Sequence, residues 1–401
     1  MAKKKLMLLG GIRYLLPVIK AAHEQGYYVI TCDYLPDNIA HRYSDEYVNV
    51  SIIDQEAVLN VAREKEIDGI MSFGVDPGVV SDSYVQNQMG LPSFGPYESV
   101  CILQNKDRFR TFLANNGFNV PQAKGYGSVE EALKDTAWIP WPCIVKPTDS
   151  AGSKGVTRVD RLEDLEAALT IAQKNSISGR IIVEEFLSPE GCPSDSDSFL
   201  LNGELKFVSY SAQRFDSDAA NPHTPAAFSW PSTYTHEQES ELTSELQRLL
   251  TLLNMQTALF NIETRVSKGK THIMEVTPRG GGNRLAEMIR YATGVDLITA
   301  ITRYAVGDSV EVFEQRPYNG HWAEVILHSH AAGEFRGLET QEAHFHCEIV
   351  EKDLWVNPGE SISSFRGAND AIGTLIVRFE NQSDLNAAMS NISQWVNVIT
   401  R

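Results

Sequence analysis

An alternation of short apolar runs with helix-like segments fills the first hundred residues, and it dictates a parallel sheet. Residues 5–9 form an apolar run closed by Gly10-Gly11, and residues 17–25 have helical spacing and stop at Gly26. Residues 27–32 read as a second strand closed by Asp33, residues 55–64 as a helix capped by Asp54, and residues 69–73 as another buried strand. Strands joined through helices lie parallel, because a parallel pair needs a long crossover, and both faces of such a sheet are covered. The turn Gly10-Gly11-Ile12-Arg13 lacks the Gly-x-Gly-x-x-Gly spacing of a dinucleotide site. It reads as a tight strand-to-helix turn whose amides can face an anion.

The 401 residues suggest two or three domains. The texture changes near Asn105 and again after Asp308, which divides the chain into 1–105, 106–308 and 309–401. The middle region is expected to hold helices over 106–115, 162–174 and 237–254, strands over 143–146, 181–185, 258–265 and 271–276, and, within a Ser-, Asp- and Pro-rich segment at 186–240, a loop-rich stretch at 216–231. The last region reads as short strands with turns and a helix near 384–391. The formal charge of −17 argues against a protein whose main work is holding nucleic acid or an anionic membrane. A small anionic ligand needs only a local positive pocket. No run approaches the roughly 20 apolar residues of a membrane span. The start, Met1-Ala2-Lys3-Lys4-Lys5 before Leu6-Met7-Leu8-Leu9, is too short in its apolar part for a secretory signal and reads as a buried first strand. Cys32, Cys101, Cys143, Cys192 and Cys347 are scattered and odd in number, which fits reduced thiols and a cytoplasmic protein.

Four features of the middle region recur in a fixed order. Pro142-Cys143-Ile144-Val145-Lys146 places a lysine at a strand end, ahead of the small-residue loop Ser150-Ala151-Gly152-Ser153-Lys154-Gly155-Val156. Such a loop can wrap amides around phosphate oxygens. Ile181-Ile182-Val183-Glu184-Glu185-Phe186-Leu187 is an apolar strand ending in two carboxylates and an aromatic, able to line a flat slot whose edge reads an adenine. Glu263 and Glu275 lie on two apolar strands joined by Ser267-Lys268-Gly269-Lys270, so a hairpin sets them face to face. Two adjoining carboxylates repel unless a cation sits between them, and hard oxygen donors suit Mg²⁺. Lys106 heads the helix that opens the region.

In this order the features resemble the ATP-grasp superfamily: carboxylate–amine ligases, biotin-carboxylase-like enzymes and carbamoyl-phosphate-synthase-like enzymes. The resemblance runs from about Lys106 to Asp296. It implies an α/β chain (an α+β grasp): a Rossmann-like N-terminal domain at 1–105, a two-subdomain ATP-grasp centre at 106–308 with a lid at about 120–188, and a small, mainly β C-terminal domain. It assigns ATP phosphates to Lys106 and Lys146, a flexible lid over the phosphates to Ser150, Gly152, Ser153 and Gly155, and the adenine strand to Glu184, Glu185, Phe186 and Leu187. Mg²⁺ (or Mn²⁺) falls to Glu263 and Glu275, with Thr277 where the family's Glu-x-Asn motif has asparagine. Arg279 matches the arginine that steadies the transferring phosphate. Gly281 and Gly282, in Gly280-Gly281-Gly282, would hold a substrate carboxylate on their amides. Glu190 and Asp195 are candidates for the ribose acid.

The implied activity is ATP-dependent joining of a small-molecule carboxylate to an amine through an acyl phosphate. A biotin-carboxylase-like or purine-pathway-like carboxylation, or a nucleotide-binding regulator, are the alternatives; related enzymes are often dimers. Residues 209–231 carry Arg214, Asp216, His223 and Trp230 and are candidates for an acceptor pocket, Arg214 being suited to grip a carboxylate. His328-Ser329-His330 and His344-Phe345-His346 could pair around zinc. No cysteine or acid completes a ligand set at a known spacing, so they read as ordinary sheet histidines.

Overall fold

A computed structural model describes residues 3–150, 152–311, 314–341 and 345–401. The N-terminal sheet has the strand order Glu46–Val48, Tyr28–Cys32, Lys5–Leu9, Gly69–Ser72, every pair parallel. The helices Leu16–Glu24 and Gln55–Lys65 make crossovers, the second capped by Asp54, whose carboxylate accepts the Ala57 N–H at 3.1 Å. Leu6 and Leu8 pack on one face with Ile289, Leu297 and Ile301, while Met7 and Leu9 pack on the other with Ile30 and Ile70. This double burial explains the uninterrupted apolar run of the first strand. Gly69 is required there: a Cβ would lie 1.9 Å from the Ala305 carbonyl oxygen, at the end of the helix Leu297–Ala305.

An antiparallel sheet of Ala123–Tyr126, Ile181–Glu185, Cys143–Pro147 and Thr157–Val159 is backed by the helix Leu165–Asn175. It has its own core, including Val145, Leu165, Leu169 and Val183. A second sheet orders Glu204–Phe207, Ser194–Leu201, Ala258–Ser267 and Lys270–Thr277. Its apolar face, with Phe260, Ile262 and Val276, packs on Leu246 and Leu249 of the helix His236–Leu252. Its other face carries the candidate site.

The loop-rich reading of 216–231 is corrected here, since Pro225–Trp230 is a strand. Ser194–Leu201, to which the sequence assigned no element, is also a strand, buried along seven of its eight residues. The sequence Ser-Asp-Ser-Asp-Ser is too polar to look like a core strand. Ala212–Phe215 and Pro225–Trp230 join a five-stranded sheet with His321–Leu327, Gly373–Phe379 and Cys347–Leu354. The sheet of the 309–401 region thus incorporates residues from the region before it. A small sheet of Ser361–Ile362, Gly333–Thr340 and Val396–Thr400 lies beside it in sequence. Among the described residues, no helix is long and apolar enough to cross a membrane.

Candidate active site

Strand register builds the site. Glu263 lies opposite Asp195 on one side and Glu275 on the other; two residues along, Asn261 lies opposite Asp197 and Thr277. With a side-chain period of two, these six share one face of the sheet. Asn261 Nδ2 donates to Asp195 Oδ1 at 2.6 Å and to Asp197 Oδ1 at 3.3 Å. Burial and the Glu275 charge hold the Glu263 carboxyl above its ordinary range. Burial and Glu263 push Asp195 well up, and burial lifts Asp197 to about 7. Burial also opposes the charge of Glu275, but Lys106 and Arg279 outweigh it and keep the group low. Within this face, carboxylates outnumber their local cations.

The cations come from three other segments. The helix Lys106–Asn115 opens with Asn105 as its cap, and Lys106 Nζ lies 3.5 Å from Glu275 Oε2 and 3.2 Å from the Ser150 carbonyl oxygen. Lys146, on Cys143–Pro147, forms an ion pair with Glu184 across the neighbouring strand. Arg110, one turn beyond Lys106, donates to the other Glu184 oxygen at 3.0 Å and to the Met274 carbonyl at 2.7 Å. That carbonyl is available because the hairpin bulges: Glu263 faces Glu275 while Thr264 faces Ile273, leaving Met274 out of register. Burial disfavours the Glu184 charge, yet Arg110 and Lys146 hold its carboxyl down at about 2. Lys146 itself is shifted down, by burial and by Arg110 and Lys106, despite Glu184. The two directions are compatible: the carboxylate sees two cations, whereas the ammonium sits between an anion and two like charges.

Arg279 follows the hairpin and reaches the N-terminal domain. Its Nε and Nη2 lie 2.6 and 2.5 Å from Asp76 Oδ1, and Nη1 donates to the Gly280 carbonyl at 2.9 Å. Gly280 bridges Phe73, where a Cβ would lie 2.1 Å from the ring.

Several sequence expectations change in the structure. Glu184 is buried beneath Lys146 and Arg110 rather than lining a slot. Glu185, Phe186, Pro142, Arg158, Glu190 and Lys268 do line a cavity of about 500 Å³. Arg158 sits over the Phe186 ring at 4.5 Å, and Lys268 pairs with Glu185 at 2.6 Å. The Glu185 and Phe186 amides donate to the Gln122 and Pro142 carbonyls, and the Leu187 carbonyl accepts from Arg265 at 3.0 Å. The amide of Gly281 is not free for a substrate: both Asp197 oxygens accept from it, at 2.9 and 3.1 Å. Gly282 packs toward Tyr14. Asp195 stands in the carboxylate row, away from Glu190, which borders the cavity. In the small-residue loop, Gly152, Ser153 and Gly155 have φ of +65°, +58° and +73°; Ala151 lies outside the described residues. Arg214 buries its Nε without an acceptor. Asn261, Asp197, Arg110 and Asp76 escaped the sequence reading. Asn261 had a signal, since it precedes Glu263 by two on the same strand face; the others are joined only by the fold.

Residues 139–287 match the ATP-grasp domain family model. The carbamoyl phosphate synthase large chain of Ralstonia nicotianae is 23% identical over 328 residues, covering 77% of this chain and 30% of that protein. The chain thus spans about a third of the length of that relative. The crystal structure of an L-amino acid ligase from Bacillus licheniformis superposes with a TM-score of 0.83 at 18% identity, covering all of both chains. The biotin carboxylase domain of a Hydrogenobacter thermophilus 2-oxoglutarate carboxylase, solved with MgADP, ADP and bicarbonate, gives 0.74 at 17% identity, covering all of this chain and 91% of that one. Residues 139–287 thus match the ATP-grasp domain model, and the chain as a whole shares the fold of the L-amino acid ligase and of the biotin carboxylase domain.

Proposed function

We propose that this protein is an ATP- and Mg²⁺-dependent ligase that activates a small carboxylate as an acyl phosphate and joins it to an amine. The observation that carries the reading is the row Asp195, Glu263 and Glu275, set against Lys106, Lys146 and Arg279. This donor set fits Mg²⁺: the carboxylates are hard, the Glu263 and Asp195 carboxyls are held above their ordinary range, Glu275 stays partly open, and nucleotide phosphates would complete the shell. Glu263 and Glu275 would hold the ion, with the Thr277 hydroxyl beside them. Bound there, Mg²⁺ supplies charge neutralisation for the transferring phosphoryl group.

The chain's own residues do the rest. Lys106 and Lys146 orient the triphosphate, and the loop of Ser150, Gly152, Ser153 and Gly155 closes over it. Phe186, with Glu185, borders the cavity that takes the adenine, and Leu187 follows them on the same segment. Arg279, aimed by Asp76, faces the γ-phosphoryl group as the substrate carboxylate oxygen attacks phosphorus and ADP departs. The amine then attacks the acyl carbon, loses its proton, and phosphate leaves. Positioning and a fixed positive field are what phosphoryl transfer needs most. Closing out water protects the acyl phosphate from hydrolysis. Arg214, a half-buried guanidinium with an unsatisfied Nε, suits a substrate carboxylate. The name of one structural neighbour, an L-amino acid ligase, supports amino acids as a substrate class.

The test is ADP release from ATP and Mg²⁺ with paired amino acids and small acids, with product mass as readout. Turnover that requires both an acid and an amine is expected. A protein that binds ATP but turns over with no pair would refute the ligase reading. A folded Glu275→Ala variant with unaltered ADP release would refute the metal assignment.

A further inference from the structure

The two histidines beyond the strand His321–Leu327 converge on a carboxylate from a distant segment. Asp216 follows the strand Ala212–Phe215, and its Oδ2 lies 2.9 Å from His328 Nε2 and 2.7 Å from His330 Nε2. One donor atom from each of the three falls within 4.8 Å of the others. Here is the acid that the sequence did not offer, 112 residues before His328. His344 lies outside the described residues, and His346 faces Asp384 instead.

The geometry holds these donors in place. The second Asp216 oxygen accepts the Asp218 N–H at 2.9 Å, which fixes the carboxylate rotation. His328 stacks on Phe365, with centroids 4.2 Å apart and planes at 22°. Its Nδ1 is 2.7 Å from the Ile326 carbonyl oxygen. A carbonyl only accepts, so Nδ1 carries a proton, and in the neutral tautomer the Nε2 lone pair faces an anionic oxygen. That contact is repulsive unless something positive is shared between the atoms. Without a metal, His328 would have to carry an extra proton as an imidazolium, beside a His330 that donates its own Nε2–H, with the two rings 5.9 Å apart over one oxygen. A single dication serves both lone pairs and the carboxylate together. A histidine that donates its other N–H to a backbone carbonyl is the arrangement metal-ligating histidines use.

We propose that Asp216, His328 and His330 form a site for a zinc-class transition-metal ion, with water as fourth ligand on the exposed His330 side. Imidazole donors favour such an ion over Mg²⁺. The ion would tie the segment after Arg214 to the end of a central strand of the five-stranded sheet. The site is independent of the Mg²⁺ carboxylates, which stand on another sheet.

The experiment uses the full chain, stripped with EDTA and then dialysed against micromolar Zn²⁺ with excess Mg²⁺, and counts zinc per chain. One zinc is expected in the wild type and in Glu275→Gln. His330→Ala changes an exposed side chain, and Asp216→Asn keeps the side-chain shape, so both remain folded, as circular dichroism would verify. Each should weaken zinc binding by more than the about 10–100-fold that loss of an outer partner causes. Co²⁺ in place of Zn²⁺ should give visible bands that both variants lose. A wild type that retains no zinc, or variants that retain as much as the wild type, would overturn the proposal. Loss of zinc in Glu275→Gln alone would overturn it too, by placing the ion at the carboxylate row.

Discussion

Glu184→Gln preserves the shape of a buried side chain and removes one negative charge from between two cations. The Glu184, Arg110 and Lys146 side chains are 2%, 5% and 17% exposed, so solvent screens the cluster little. Removing one partner of such a pair leaves uncompensated buried charge and costs about 3–5 kcal/mol. The carboxyl gives a similar figure: a value of about 2 against an ordinary 4.5 corresponds to about 3 kcal/mol at 1.4 kcal/mol per pH unit. A depressed carboxyl contributes its stability above the unfolded value, and that contribution is lost as pH falls through about 2. Urea unfolding should therefore show the variant about 3–5 kcal/mol weaker at pH 7, with the gap narrowing as pH drops from about 4.5 toward 2. The double variant with Arg110→Met removes one orphaned cation as well, so its loss should fall short of the sum of the single losses by about 1–3 kcal/mol. A loss below about 1 kcal/mol at pH 7, the level of an exposed pair, would refute the reasoning. So would a gap that stays constant with pH.

Asp197 gives the opposite sign. Its carboxyl is raised to about 7 by burial, so the stability tied to its protonated form is present at low pH and lost as pH rises from about 4 through 7. Asp197→Asn should flatten that decline in urea midpoints across the window, and a wild-type slope there counts against it. Gly280→Ala should cost about 1–3 kcal/mol in unfolding free energy, because its Cβ would meet the Phe73 ring. A neutral result would mean that this junction between the strand end and the hairpin yields freely. Lys106→Met should weaken ATP binding in calorimetry while leaving the core around Val145 and Leu169 intact; unchanged affinity removes Lys106 from the phosphate site. Arg214→Ala should raise the KM of one co-substrate at least about tenfold, as loss of a charge-assisted hydrogen bond does, and leave the KM for ATP alone. Unchanged KM for every substrate discards it.

Local pattern carried much of the fold and less of the site. The apolar runs around Leu6 and Ile181, the Asp54 cap and the Glu263–Glu275 hairpin were all legible, because each depends on residues near in sequence. What remained hidden depends on segments meeting across the chain. Arg110 finds Glu184 74 residues away, Arg279 finds Asp76 203 residues away, and Gly281 gives its amide to Asp197. No periodicity announces such pairs. Ser194–Leu201 was hidden for a further reason. Its Asp195 and Asp197 look like solvent-facing residues, yet they face Glu263 and Asn261 across a ladder. That strand is polar yet turned inward, where its carboxylates are tolerated only with Asn261, the Gly281 amide and nearby cations around them. The net charge of −17 argues only against nucleic acid or an anionic membrane and says nothing of where the cations sit: Lys106, Arg110, Lys146 and Arg279 stand gathered in one place. A triphosphate responds to the field inside a cleft, where low-dielectric walls focus it, and not to the sum over the surface.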